Sequence, residues 1–120
     1  MLKTFSHCML YASDLHRALE CYCGKLGFSE RFIAEDEFAS LWHPHLEFRL
    51  DIHALPGHQS SGMAGPIPYF LCDDIVATRD ELRAAGLVVS DPRREEDSPW
   101  FSTFLDSEGN VLGIEQVRDS

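Results

Sequence analysis

The sequence has no apolar run near the roughly eighteen residues that a membrane-crossing helix needs. It also lacks any C-x-x-C or H-x-x-x-H spacing of the kind that builds common zinc sites. Bases are scarce: ten lysines and arginines stand against twenty aspartates and glutamates, a formal charge of −10. That balance repels phosphate backbones and anionic membranes, sets nucleic acid and membrane aside as partners, and mildly favours cationic ligands. Cysteine occurs four times, but Cys21 and Cys23 lie two apart in a helical stretch and point away from each other, so free thiols are expected. The opening MLKTFSHCML has neither the long apolar core nor the small-residue cleavage site of a signal peptide, and the expected location is the cytoplasm. With 44% hydrophobic and 25% charged residues in a chain of 120, the composition is that of a soluble globular protein long enough to bury its own core.

What the sequence does contain is a unit that occurs twice. The stretch HCMLYASDLHRALECYCGKLGF, His7 to Phe28, is echoed more faintly from residue 67, with Asp14 thirteen positions before Gly27 and Asp73 thirteen before Gly86. In the first copy, residues 5–12 read as a strand, Ser13-Asp14 as a helix cap, and Leu15, Ala18, Leu19, Tyr22 and Leu26 as one helical stripe closed by Gly27. Strands are predicted over 28–34, 37–43 and 46–54, completing a βαβββ module over 1–54. Residues 55–66, rich in Gly, Ser and Pro, read as a linker. The second module, 67–120, repeats the order: a strand at 67–72, a helix capped by Asp73 and Asp74 and closed by Gly86, a short strand at 87–89, a charged loop at 91–99, and strands at 100–105 and 111–117. In the turn between the last two, Gly109 and Asn110 suit positive φ.

The fourth strand alternates cleanly, with Leu46, Phe48, Leu50 and Ile52 on one face and Glu47, Arg49, Asp51 and His53 on the other. The same parity puts His7, Met9 and Tyr11 on one side of the first strand.

The paired modules, the opening H-x-M-L-Y-x-S-D-L-x-R-A-L-x-x-Y-x-x-x-L-G-F and the closing F-L-D-S-E-G-N-V-L-G-I-E-Q together resemble the vicinal oxygen chelate superfamily, which holds glyoxalase I, the bleomycin-resistance proteins and the extradiol dioxygenases. The resemblance implies an α+β fold in which two tandem βαβββ modules form a cup-shaped mixed sheet. In metal-dependent members four ligands come from the first and last strands of each module. Carried over by the motif match and the repeat, those positions are His7, Glu47, Ile67 (Pro66 or Pro68 if the register slips by one) and Gly113. Isoleucine and glycine donate nothing, and a catalytic metal normally takes three protein ligands, so the site reads as degenerate and no tightly bound metal is expected.

Two functions follow from the resemblance. The first is a metal-free protein, a homodimer as is common in the family, that binds or sequesters a small organic molecule. Its site has a polar end at His7 and Glu47, facing each other across one rung, and a lining from Met9, Tyr11, Arg49, Ile67, Tyr69 and Gly113. The alternative is a lyase or isomerase of the lactoylglutathione lyase or epimerase type, using His7 and Glu47 with zinc, nickel, manganese or iron. The plain reading of His7 is a strand histidine bonded to a neighbour, and that of Glu47 a solvent-facing or salt-bridged residue.

Overall fold

The first helix forms where the sequence supplies both a start and a buried stripe. Asp14, in extended conformation, accepts a hydrogen bond from the Arg17 backbone N–H at 3.0 Å and so caps helix α1 (Leu15–Gly24). Such a cap contributes about 1 kcal/mol. Leu15, Ala18, Leu19, Cys21 and Tyr22 are its buried residues. Beyond the helix, Gly27 holds φ +83°, and a Cβ there would lie 3.2 Å from the His43 ring nitrogen, so the turn needs glycine for both backbone and space. His43 Nε2 in turn bonds the Leu26 carbonyl at 3.1 Å.

The computed structural model describes residues 1–118, and the chain divides into two units, Met1–Ser60 and Ser61 onward. The last two residues assigned to the second module, 119 and 120, lie outside the described residues. In the first unit β1 (Cys8–Ala12), β2 (Ser29–Ala34), β3 (Phe38–His43) and β4 (Phe48–Ala54) form a sheet in the order β1-β4-β3-β2. β1 lies parallel to β4, with Cys8 opposite Leu50, and β3 runs antiparallel to both of its neighbours. Ala39, Leu41, Leu50 and Ile52 are almost wholly buried, and α1 packs on β4. The first βαβββ module is thus present in full.

The second unit keeps the plan and shortens it. Asp74 caps helix α2 (Ile75–Ala84) by accepting from the Ala77 N–H at 3.1 Å. The duplicated cap is therefore Asp74, one residue later than the spacing of Asp73 to Gly86 predicts. The turn after α1 is longer by one residue than the turn after α2, which shifts the match. β5 (Tyr69–Cys72), β6 (Phe101–Leu105) and β7 (Val111–Gln116) form a sheet in the order β5-β7-β6. The strand predicted at 87–89 is reduced to a single bridge between Val89 and Phe104. The Leu105 N–H bonds the Val88 carbonyl and the Ser90 N–H bonds the Thr103 carbonyl, so the segment lies along β6 without a regular ladder, and Leu87 and Val89 are buried.

Three strand starts also move by two or three residues. β1 begins at Cys8, β4 at Phe48 and β5 at Tyr69, so His7, Glu47 and Ile67 all stand outside the strands assigned to them. The linker is not structureless. The Leu55 N–H bonds the Ala12 carbonyl, the His58 ring lies 5.5 Å from Tyr11, and residues 62–64 make a 3₁₀ turn, so its two halves belong to the two units. In the β6–β7 turn Gly109 has positive φ and Asn110 does not. Asp106 organises that turn instead, accepting from the Glu108 and Asn110 N–H groups at 2.8 Å each.

Candidate functional site

A carboxylate buried in a central strand must be paired, and Asp51, 1% exposed in the middle of β4, is paired on every side. Arg49, two residues earlier on the same face, donates Nε to Oδ1 at 3.1 Å and Nη2 to Oδ2 at 2.6 Å. The fully buried Ser40, opposite Asp51 on β3, donates its hydroxyl to Oδ1 at 2.7 Å and accepts from Arg31 Nη1 at 2.7 Å. His7 Nε2 lies 3.5 Å from Oδ2, and its Nδ1 is 2.8 Å from Ser6 Oγ. Burial pushes the Asp51 carboxyl up. The hydrogen bonds from Arg49 and Ser40, with the charges of Arg49 and His7, outweigh burial and hold it below the ordinary aspartate value. The same hydrogen bond raises Arg49.

Around this polar centre the face is aromatic. Period-two alternation puts Met9 and Tyr11 of β1, Phe38 and Trp42 of β3, and His53 of β4 on the side opposite the core. Met9, Tyr11 and Trp42 are 42%, 45% and 38% exposed, far more than core residues, so they are available to a guest. Tyr11 lies 5.9 Å from His53, and His53 lies 6.3 Å from Phe38, as ring centroids. A flat guest would meet π-faces around a donor-rich centre.

The structure brings His7, Met9, Tyr11 and Arg49 to this face and leaves Glu47 off it. Because Cys8 pairs with Leu50, the residue level with His7 on β4 is Arg49, and Glu47 falls beyond the strand end. Glu47 is exposed in the β3–β4 turn with φ +47°, and Asp51 is the carboxylate that meets His7. In the second unit Tyr69 pairs with Gly113, whose missing side chain lets the Tyr69 ring lie against β7; a Cβ at 113 would collide with that ring. Ile67 is half-buried ahead of β5. Tyr69, with Glu95, Ser98, Phe101 and Glu115, lines a shallow cavity of about 240 Å³.

A metal does not fit these donors. Both Asp51 oxygens already accept from the Arg49 guanidinium, whose positive charge opposes a cation beside them, and the space beside Gly113 holds the Tyr69 ring. Among the described residues no three His, Cys, Asp or Glu side chains converge. None of the four cysteines forms a disulfide; burial raises the Cys8, Cys23 and Cys72 thiols, which makes them poor thiolates. Sequence reasoning missed Asp51, Ser40 and Arg31. The available signal was an arginine two residues before an aspartate in a strand flanked by apolar residues, a spacing that puts both charges on one face.

A family model of the Glyoxalase/Bleomycin resistance protein/Dioxygenase superfamily matches residues 4–114. No curated protein matches the chain. Among solved structures, a bleomycin resistance determinant encoded on transposon Tn5 is 17% identical with a TM-score of 0.75, covering 98% of this chain and 100% of that one. An antibiotic-binding protein from Streptomyces sp. CB03234 is 20% identical with a TM-score of 0.72, covering 98% and 100%. A mutant of the fosfomycin resistance protein of Listeria monocytogenes, solved with manganese(II) and a dihydroxypropylphosphonic acid, is 12% identical with a TM-score of 0.75, covering 96% and 90%. At these identities the likeness is one of fold.

Proposed function

Because this chain belongs to the Glyoxalase/Bleomycin resistance protein/Dioxygenase superfamily, whose fold serves binding and catalysis alike, we propose that it is a metal-free, small-molecule-binding member. The guest is held on the aromatic face of the first sheet. The observation that carries this reading is the engagement of both Asp51 oxygens, Oδ1 by Arg49 Nε and the Ser40 hydroxyl and Oδ2 by Arg49 Nη2. A carboxylate so engaged is neither a free ligand for a metal nor a general base near neutral pH; it is an anchor that fixes a guanidinium in place.

The resulting centre is rich in donors. Arg31, Arg49 and His7 surround one buried aspartate, so the local balance is opposite to the chain's net charge of −10. The face therefore suits a planar organic molecule bearing a carboxylate, phosphonate or carbonyl group, with its ring on Tyr11 and Trp42 and its oxygens at Arg49 and His7. Similar structures include a bleomycin-binding protein complexed with bleomycin. With the fosfomycin resistance relative, this makes antibiotics the first guests to try.

The reading includes a cytoplasmic homodimer. Among the described residues no helix is long and apolar enough to cross a membrane. Light scattering is expected to give twice the 13.6 kDa chain mass, and a monomer at all micromolar concentrations refutes the dimer.

The binding test uses a Trp100→Phe variant, in which Trp42 is the remaining tryptophan. Titration with bleomycin, fosfomycin and a panel of aromatic acids is expected to change its fluorescence saturably for at least one compound, with the response weakened in Tyr11→Ala. Silence across the panel, or stoichiometric metal in the purified protein that is lost in His7→Ala, overturns the proposal.

A further inference from the structure

The second unit carries a feature that the first sheet's binding face does not use. Two adjoining cavities, of about 430 and 370 Å³, share Trp100 and Gln116 as a common wall. The larger is polar, bordered by Arg94 and Arg118; the smaller sets an apolar wall of Ile75, Val76 and Pro92 beside the ion pair of Arg79 with Asp91.

Three donors converge on the larger cavity. The Arg94 guanidinium carbon lies over the Trp100 ring, 5.1 Å from its centroid, a cation–π contact that holds it at the cavity. Among the described residues it has no hydrogen-bond acceptor, so its N–H fork is left for a guest. Gln116 is oriented by chemistry, since its Oε1 accepts the Ile75 backbone N–H at 3.0 Å. A backbone N–H bonds only to the amide oxygen, so the amide NH₂ remains to donate. Arg118 gives one Nη2 bond to the Asp97 carbonyl, and among the described residues its other N–H groups have no acceptor. Trp100 is itself held by the Gln116 N–H, which bonds its carbonyl at 2.8 Å.

We infer that the paired cavities around Trp100 form a second small-molecule site, which takes an organic carboxylate with an aryl or alkyl body. The carboxylate sits between Arg94, Gln116 and Arg118, and the body crosses the Trp100 ring to Val76 and Pro92. Guanidinium and amide donors match a carboxylate's in-plane lone pairs, and the apolar wall of Ile75, Val76 and Pro92 offers the body a surface that a bare inorganic ion would leave unused. The acidic Asp91 and Asp97 at the rim disfavour more highly charged guests such as polyphosphates.

The test uses the Trp42→Phe variant, in which Trp100 is the remaining tryptophan, with 4-phenylbutyrate and its neutral amide as probes. Phenylbutyrate is expected to change Trp100 fluorescence saturably and to bind roughly tenfold or more tightly than the amide, the size of one charge-assisted contact. Arg94→Met keeps the stem on the ring and removes the fork; it is expected to erase that preference while circular dichroism stays unchanged. Gln116→Glu keeps the acceptor for Ile75 and replaces the donors with a charge; it is expected to weaken phenylbutyrate by roughly tenfold and the amide by less. Equal binding of the two probes, a preference that survives Arg94→Met, or no saturable response overturns the inference.

Discussion

Arg49 and Asp51, two residues apart on β4, close a two-point ion pair in which Nε meets Oδ1 at 3.1 Å and Nη2 meets Oδ2 at 2.6 Å. The pair lies along one strand, so it does not fasten two elements together; Ser40 and His7 make that connection, to β3 and to the segment before β1. Asp51→Asn keeps the shape and removes the charge that Arg49 answers. It is expected to lower stability by about 3 kcal/mol, the cost of breaking a buried pair. Urea unfolding checks this as a lower midpoint at unchanged slope.

The acid limb of the stability curve should carry the same residue's signature. The folded Asp51 carboxyl is held below its ordinary value, whereas in the unfolded chain it titrates near about 3.9. Its contribution is therefore fully present above about pH 4 to 5 and is lost as pH falls through the folded value. Wild type should lose stability more steeply than Asp51→Asn as pH falls from about 5 to about 2. Thermal melts across that range supply the comparison; parallel acid limbs would contradict it.

Gly113→Ala sets a methyl group into the Tyr69 ring. Because Tyr69 is 45% exposed, the ring can swing outward, and the expected cost is about 1 kcal/mol, the low end of overpacking. In a Tyr69→Ala background the same change should cost little. A double-mutant cycle measures the coupling directly, and additive effects would mean that the ring does not lie on the glycine.

Glu47→Gly replaces a side chain held at φ +47° with the residue that adopts this conformation freely. Relief of that strain is expected to raise stability by about 0.5 kcal/mol, with no change in the affinity of any guest found on the first sheet. Weakened binding in this variant would return Glu47 to the site.

How far the sequence is legible depends on which contacts are local. Both helices, their aspartate caps and the left-handed glycines Gly27 and Gly86 are written within a few residues of themselves, and all are found. The error at Glu47 arises from register. Alternation along 46–54 is correct about faces and silent about where pairing starts, and the start is fixed by a partner strand some forty residues away. The same holds for Asp51. Its spacing from Arg49 is visible in the sequence, but its burial and its bond to Ser40 exist only once β3 and β4 are side by side. The strand lost at 87–89 shows the converse, apolar residues that are buried as expected without forming a ladder.

The parallel seam between β1 and β4 fixes an order of assembly. Cys8 meets Leu50 and Tyr69 meets Gly113, so in each unit the first strand made must wait for the last. The hairpins β2–β3 and β3–β4 close short loops and form early, whereas the seam closes a loop of about forty residues at greater entropic cost. During synthesis β1 therefore leaves the ribosome before its partner β4 and is expected to find its place last. Pulsed hydrogen exchange should find the amides of Leu41 and Ser40 protected before that of Leu10, and simultaneous protection would show that the sheet forms in one step. The N-terminal strand then remains an unpaired edge for the longest interval, which marks it as the segment most exposed to mispairing with a neighbouring nascent chain.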